Sequence, residues 1–362
     1  MKKVALFSLL MWIGLSETVY SQTLPAVKEP IIGFNPPHYV CRRTHIPYPG
    51  EPDGRLDKAF WQQAETITDF HDIEGDALPR PLKQTKVKLL WDDNYLYIGA
   101  LLEDDEIWAT VSKRDEIIFF DNDFEVFLAP KPTSHRYYEL EMNAMNTVWD
   151  LLMEKPARDG VHRILSWDIR GLKSAVHIDG ELNNPSAKNR FWSIELLIPW
   201  LPLRECGIDE CMPSRIAPDN GEIWRLNFSR VEYRMDTANG NYVKRTNPAT
   251  GQPYPEYNWV WAPTGVIDIH MPELWGYLVF GDENTQFVQP ENAQIEWQLR
   301  KLYYRQRQFG AANGYYTTDF DKLKGDDTWS AVPQIDVTPS MFEISLPTSS
   351  GKLHIRQDGY LW

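Results

Sequence analysis

The chain has 362 residues, 43% of them hydrophobic, enough for one large domain or for one domain with a smaller companion. A net charge of −14 and an isoelectric point near 5.1 argue against nucleic acid and anionic membrane surfaces as partners. The 15 Trp, 17 Tyr and 15 Phe either fill sheet cores or stack on sugar rings, and composition alone favours the first.

Residues 1–21 read as a secretory signal. Lys2 and Lys3 form a basic start, and the apolar run from Val4 to Leu15 is too short to span a bilayer. Val19 and Ser21 are small enough for the −3 and −1 positions of a cleavage site, so the mature chain begins at Gln22. No cysteine stands there for lipidation, and no later stretch is a transmembrane segment. The expected product is soluble and exported, to the periplasm or beyond the cell. Such a compartment permits disulfides. Cys41, Cys206 and Cys211 allow three single pairings and leave one thiol over. Cys206 and Cys211 are close enough for a local loop.

Residues 22–50 are Pro-rich and read as an irregular lead-in. In Asp53 to Ala64, DGRLDKAFWQQA, the Asp53-Gly54 pair signals a turn. Leu56, Phe60 and Trp61 then fit a short helical turn, with Trp61 as a core anchor. Lys86 to Glu103 reads strand, turn, strand. Val87, Leu89 and Trp91 share a face, and the unbroken apolar run from Tyr95 to Leu102 suits a strand covered on both sides. The acidic group Glu103, Asp104, Asp105 and Glu106 is either a solvated loop or a metal site.

Residues 119–150 read as two strands joined by a Pro-containing loop. Phe124, Val126 and Leu128 alternate with Asp123, Glu125 and Phe127. Tyr138, Leu140, Met142 and Ala144 alternate with Glu139, Glu141 and Asn143. Period-two alternation sends one set to the core and the other to the opposite sheet face. That face gathers Asp123, Glu125, Glu139, Glu141 and Asn143, and its charge needs balancing by arginines, a cation or a polyhydroxylated ligand.

Residues 151–163 read as a charged loop, and Ser166 to Asp179 as a strand pair. Phe191 to Trp200, Ile223 to Tyr233, Asn258 to Ala262 and Leu274 to Phe280 read as further strands. The long polar insertion 236–258 is of the kind that carries binding sites. Many short strands with turns between them and few helices predict an all-β sandwich or jelly roll over residues 51–282. Residues 283–362 predict an appendage: a helix from Glu291 to Phe309 stopped by Gly310, then a hairpin from Gln334 to Leu346 and Lys352 to Trp362 turning at Gly351.

The motifs DGRLDKAFWQQA, KVKLLWDDNYLYIGALLED, DNDFEVFL, ELEMNAMN, FWSIELLIPW and RLNFSRVEY occur in an order that resembles the family-nine carbohydrate-binding modules, over about residues 50–281. The resemblance implies a sugar-binding β-sandwich, often beside a glycoside hydrolase, with structural calcium in some members. In that family two aromatic side chains clamp a sugar at a chain end. Phe119 takes the first position, where Trp is common, and Trp261 the second, with Trp259 and His270 as rivals. The family's sugar-bonding carboxylate falls on Glu125, its strand arginine on Glu141 and its neighbouring asparagine on Asn143.

A pyranose offers CH faces to aromatic rings and hydroxyls to carboxylates and amides, so Phe119, Glu125, Glu141, Asn143 and Trp261 form the expected site for an oligo- or polysaccharide. The alternative is hydrolysis of O-glycosyl bonds by Glu139 and Glu141, which project from one strand face about 7 Å apart. A non-catalytic assembly role is a further reading. Haem held by Met142, Met145, His162 or His177 lacks any C-x-x-C-H attachment motif. No cofactor is required. A structural Ca2+ would draw on Asp121, Asp123 and Asp150, which otherwise form a turn and a salt bridge to Arg114 or Arg225.

Overall fold

The computed structural model describes residues 23–131, 133–160, 162–207 and 216–362. The signal sequence and Cys211 lie outside these residues. Strands form one continuous path in the order Lys173–Asp179, Phe191–Pro199, Tyr95–Glu103, Thr85–Trp91, His38–Arg43, Gly276–Gly281, Ile223–Glu232, Asp123–Ala129, Tyr137–Asn143, Val148–Lys155 and His162–Ile164. The path curls into two packed layers, a β-sandwich. Its core is Leu89, Ile98 and Ile194 from one layer against Phe124, Leu140 and Phe228 from the other.

The join between layers lies in the stretch predicted to be irregular. His38–Arg43 pairs parallel with Gly276–Gly281 along His38 to Arg42, then with Leu90 and Trp91 through Arg42 and Arg43. A strand that changes partners turns the corner of a sandwich. Proline density on both sides hid it. Cys41 on this strand is a free, fully buried core thiol, so it takes part in no disulfide.

The Asp53–Ala64 stretch is fixed by a carboxylate on an inner strand of the layer it packs against. Glu195 of the Phe191–Pro199 strand accepts from Trp61 Nε1 at 2.8 Å, Tyr48 Oη at 2.7 Å and the Gly54 amide at 2.9 Å. Gly54 has φ +81°, and a Cβ there would sit 2.2 Å from the His177 backbone. The turn therefore demands glycine twice over, by conformation and by space. Trp61 is fully buried, the anchor that its motif suggested.

Three local readings are corrected. Residues 151–163 are not simply a loop, because Val148–Lys155 is a strand. Val148 and Leu152 face the main core, while Trp149, Leu151 and Met153 join a second cluster on the other face, so no alternation marks it. The pair read from Ser166 to Asp179 is a single strand, Lys173–Asp179, and the other strand of this region, His162–Ile164, precedes it. The acidic group at 103–106 is neither a metal site nor a solvated loop throughout. Asp104 is buried and bonded to Lys83 at 2.6 Å, and Lys83 also reaches Glu232 at 2.7 Å.

The C-terminal segment holds one helix, Ala293–Asn313, and a sheet of three strands, Gln334–Val337, Phe342–Pro347 and Lys352–Arg356. Helix residues Leu299, Leu302 and Tyr303 pack with Ile344 and Ile355 of this sheet, and with Val27, Met271 and Leu274 from elsewhere in the chain. Buried polar contacts complete the docking. Arg307 donates to Asp159 at 2.8 Å, to the Arg158 carbonyl at 2.7 Å and to the Pro25 carbonyl at 2.9 Å.

Candidate functional site

The acidic hairpin has the register that alternation predicts. Asp123 faces Asn143, Glu125 faces Glu141 and Phe127 faces Glu139 across the Asp123–Ala129 and Tyr137–Asn143 strands. Phe124, Val126, Leu128, Tyr138, Leu140 and Met142 point into the core. The opposite face is not open to solvent. At one end Phe127, Tyr137 and Trp275 pack over it, and at the other the short helical turn Ile118–Phe120 covers it. Between these covers lies a pocket of about 180 Å3 lined by Phe119, Glu125, Glu139, Glu141, Glu256 and His270, with Val231, Asn258 and Ile269 completing it.

The floor is strongly acidic and shielded from water. Asp123 and Glu141 are 0% exposed, and Glu125 and Glu139 are 6% exposed. Among the described residues, no arginine or lysine forms an ion pair with any of the four. Burial is the largest cause of their shifted protonation, and mutual repulsion adds to it. Glu125 is pushed up to about 7 by burial, against the hydrogen bond from Ser229. Glu139 is pushed up to about 8 by burial and the Glu125 charge. Asp123 and Glu141 are raised well above the ordinary carboxylate range by burial and then by Glu125.

Hydrogen bonds hold the geometry. The Phe119 amide donates to Glu141 Oε2 at 3.0 Å, tying the aromatic turn to the acidic floor. The Phe119 carbonyl accepts from Tyr233 Oη at 2.9 Å. The Val231 amide donates to Asp123 Oδ1 at 3.2 Å. His270 Nδ1 and Tyr137 Oη lie 2.8 Å apart, and burial lowers the imidazole's proton affinity. The ring of Phe119 is 37% exposed and stands 6.3 Å from that of Trp149, leaving a face for a ligand.

Of the expected sugar contacts, Phe119, Glu125 and Glu141 meet in this pocket and two others do not. Asn143 is fully used by the groups packed around it. Its Nδ2 donates to the Val111 carbonyl at 2.7 Å and to Asp121 at 2.9 Å, while its Oδ1 accepts from the Met145 and Thr147 amides. Trp261 is a core residue, 5% exposed, whose indole lies against Phe228 and where a Cβ on Gly276 would fall. Its rival Trp259 is buried, stacked on Tyr257 at 5.3 Å. His270, the other rival, does line the pocket.

The expected metal trio is also corrected. Asp121 accepts from the Thr110 and Val111 amides, from Thr110 Oγ1 and from Asn143, which occupies its lone pairs. Asp150 accepts from Arg114 and from the Ile169 amide at 2.6 Å, the salt bridge that was the alternative reading. Asp123 is the member that stays available, and its neighbours are Glu125 and Glu141. Glu256 and Asn258 were not legible as site residues, since nothing local distinguishes them in the long insertion that brings them here.

Residues 53–160 match the family model described as carbohydrate family 9 binding domain-like, a span that includes both acidic strands and the Phe119 turn. The resemblance is thus to a binding domain. No curated protein matches the chain. Among solved structures, the chain is similar to a Bacteroides uniformis protein provisionally assigned to carbohydrate binding, at 13% identity and a TM-score of 0.48, covering 68% of this chain and 100% of that one. It is also similar to a family 9 carbohydrate-binding module of Caldicellulosiruptor kristjanssonii. The complex of that module with cellotriose gives 15% identity and a TM-score of 0.41 over 70% of this chain and 100% of that one. The complex with glucose gives 16% and 0.40, over 70% and 98%.

Proposed function

We propose that the protein binds carbohydrate in the pocket above the acidic hairpin. The observation that carries this reading is one exposed aromatic ring, Phe119, standing at the edge of a floor of glutamates. A sugar lays its CH face on the ring and donates its hydroxyls to carboxylate oxygens. Glu125 and Glu139, the partly accessible carboxyls of the floor, accept those bonds, Glu141 holds the Phe119 turn beside them, and His270 and Asn258 supply polar edges. Asn143 supports the floor from outside, holding Asp121 and the turn after its own strand.

The protein acts after export, in the periplasm or outside the cell, and serves polysaccharide capture, alone or beside a glycoside hydrolase. The apolar start and the small residues before Gln22 support that placement. Among the described residues no helix is long and apolar enough to cross a membrane.

Calorimetric titration of the mature chain with a panel of plant and host oligosaccharides tests the reading. Saturable binding that Glu125→Gln removes, with the sugar recovered intact, is the expected result. No binding across the panel overturns it and leaves an assembly role. Cleaved sugar in the same samples would instead make Glu139 and Glu141 an acid and base pair.

A further inference from the structure

We infer that Asp123, Glu125 and Glu141 hold one divalent cation of the calcium class beneath the pocket. One carboxylate oxygen from each of these buried residues lies within 4.8 Å of the others. Oxygen ligands sit about 2.3–2.6 Å from calcium, so two on opposite sides of the ion are about 4.6–5.2 Å apart and adjacent ones are closer. The three oxygens therefore fit around a single ion without any strand moving.

A cluster of acids alone would not carry this. The second observation is that two of its oxygens are orphans. Asp123 Oδ2 and Glu141 Oε1 are buried and accept no hydrogen bond. Buried polar atoms are almost always paired, and a buried acceptor without a donor calls for an ion, a water or a proton. The other oxygens of the same groups are in use, Asp123 Oδ1 by the Val231 amide and Glu141 Oε2 by the Phe119 amide. Each group is thus locked by one oxygen with the other left for a ligand, as in sites where outer hydrogen bonds orient the ligating carboxylate.

The donor set selects the metal. All three ligands are hard oxygens, and no cysteine stands among them, which favours calcium over softer ions. Three carboxylates fall short of the 6–8 oxygens that calcium takes. The remaining positions open toward the pocket, where Glu139, water or sugar hydroxyls complete the shell. This site differs from the Asp121, Asp123 and Asp150 set in two of its three members. It does not depend on the sugar reading, because an ion can be titrated with no sugar present.

The test is calorimetric titration of the chelator-treated full chain with CaCl2, with Tb3+ luminescence as a second probe. We expect one ion per chain, with Tb3+ and Ca2+ competing for the same site. Asp123→Asn and Glu141→Gln should each weaken binding at least about tenfold, whereas Glu51→Gln on the exposed surface should not change it. No uptake at millimolar calcium overturns the proposal. So does uptake of terbium that calcium does not displace. A folded double variant that binds as tightly as the parent overturns it too. Binding of glucosamine, but not of calcium or terbium, would make a sugar ammonium the counter-charge and likewise exclude the metal. Where a variant fails to fold, stoichiometry and the competition of calcium with terbium in the parent decide. Sugar titrations with and without calcium then report on the sugar reading separately.

Discussion

Glu125 stands directly opposite Glu141 on neighbouring antiparallel strands, both shut away from water. Like charges in cross-strand pairs destabilise a sheet, and burial raises the cost. Such a pair lasts where stability has been given up for a binding task. Glu141→Gln should therefore stabilise the metal-free protein, by about 1–2 kcal/mol. The amide keeps a carbonyl oxygen for the Phe119 amide, so the turn holds. Urea denaturation in excess chelator measures this, and a less stable variant would show that the pair is not under strain.

His135 makes stability depend on pH at the junction with the C-terminal segment. Its Nε2 lies 2.8 Å from the Asp358 carbonyl oxygen, which can only accept, so Nε2 carries a proton. Burial lowers its pKa from 6.5 to about 4. A depressed folded-state value means that the unfolded chain binds the extra proton first. The contribution is thus present above pH 6.5 and is lost as pH falls toward 4, reaching about 3 kcal/mol at most. His135→Gln should flatten the stability curve between pH 6.5 and 4. An unchanged acid limb would assign it to other groups.

Gly310 shows how far the sequence could be read in the C-terminal segment. Glycine after an amphipathic run is a helix stop, and the predicted helix ended there. The helix instead continues to Asn313 and is capped by Gly314 at φ +78°. A Cβ on Gly310 would lie 2.5 Å from the Tyr316 ring. This glycine makes room for a packed ring, a tertiary demand that a local pattern does not reveal. Gly310→Ala should cost about 1–3 kcal/mol, although helix propensity alone predicts a gain of about 1 kcal/mol. A thermal melt with a rise in Tm would refute the packing argument.

The same division explains what the sequence yielded elsewhere. Strict alternation in Asp123–Ala129 and Tyr137–Asn143 gave strand, face and register, and so placed Glu125 against Glu141. Alternation cannot say that the outer face is roofed, because the roof comes from Phe119, Glu256 and His270, which are far apart in sequence. Val148–Lys155 escaped notice since both its faces are buried. His38–Arg43 did so because it is short and flanked by prolines. Asn143 looked functional as the last polar residue of an acidic strand, yet its four hydrogen bonds are all within the protein.

The family resemblance makes Phe119 and Trp261 the two walls of one clamp, and their surroundings give them opposite behaviour. Trp261 is closed in by Phe228 and the close approach of Gly276, and its indole presents no free face to the acidic pocket. Trp261→Ala should remove about 3–5 kcal/mol of stability through the cavity it leaves. The fraction that stays folded should bind sugar as the parent does. Phe119 is more than a third exposed at 37% and touches Phe120 and Trp149 at its edges, so Phe119→Ala should change stability little. It should instead weaken sugar binding roughly tenfold, the worth of one stacked ring at about 1.4 kcal/mol. Measuring both quantities on both variants separates a packing residue from a binding one. If Trp261→Ala loses affinity while keeping its fold, the ligand reaches past the acidic pocket toward the Trp261 end of the sandwich. Were Phe119→Ala to bind unchanged, affinity would rest on the carboxylate floor alone, and the ring would be a lid rather than a platform.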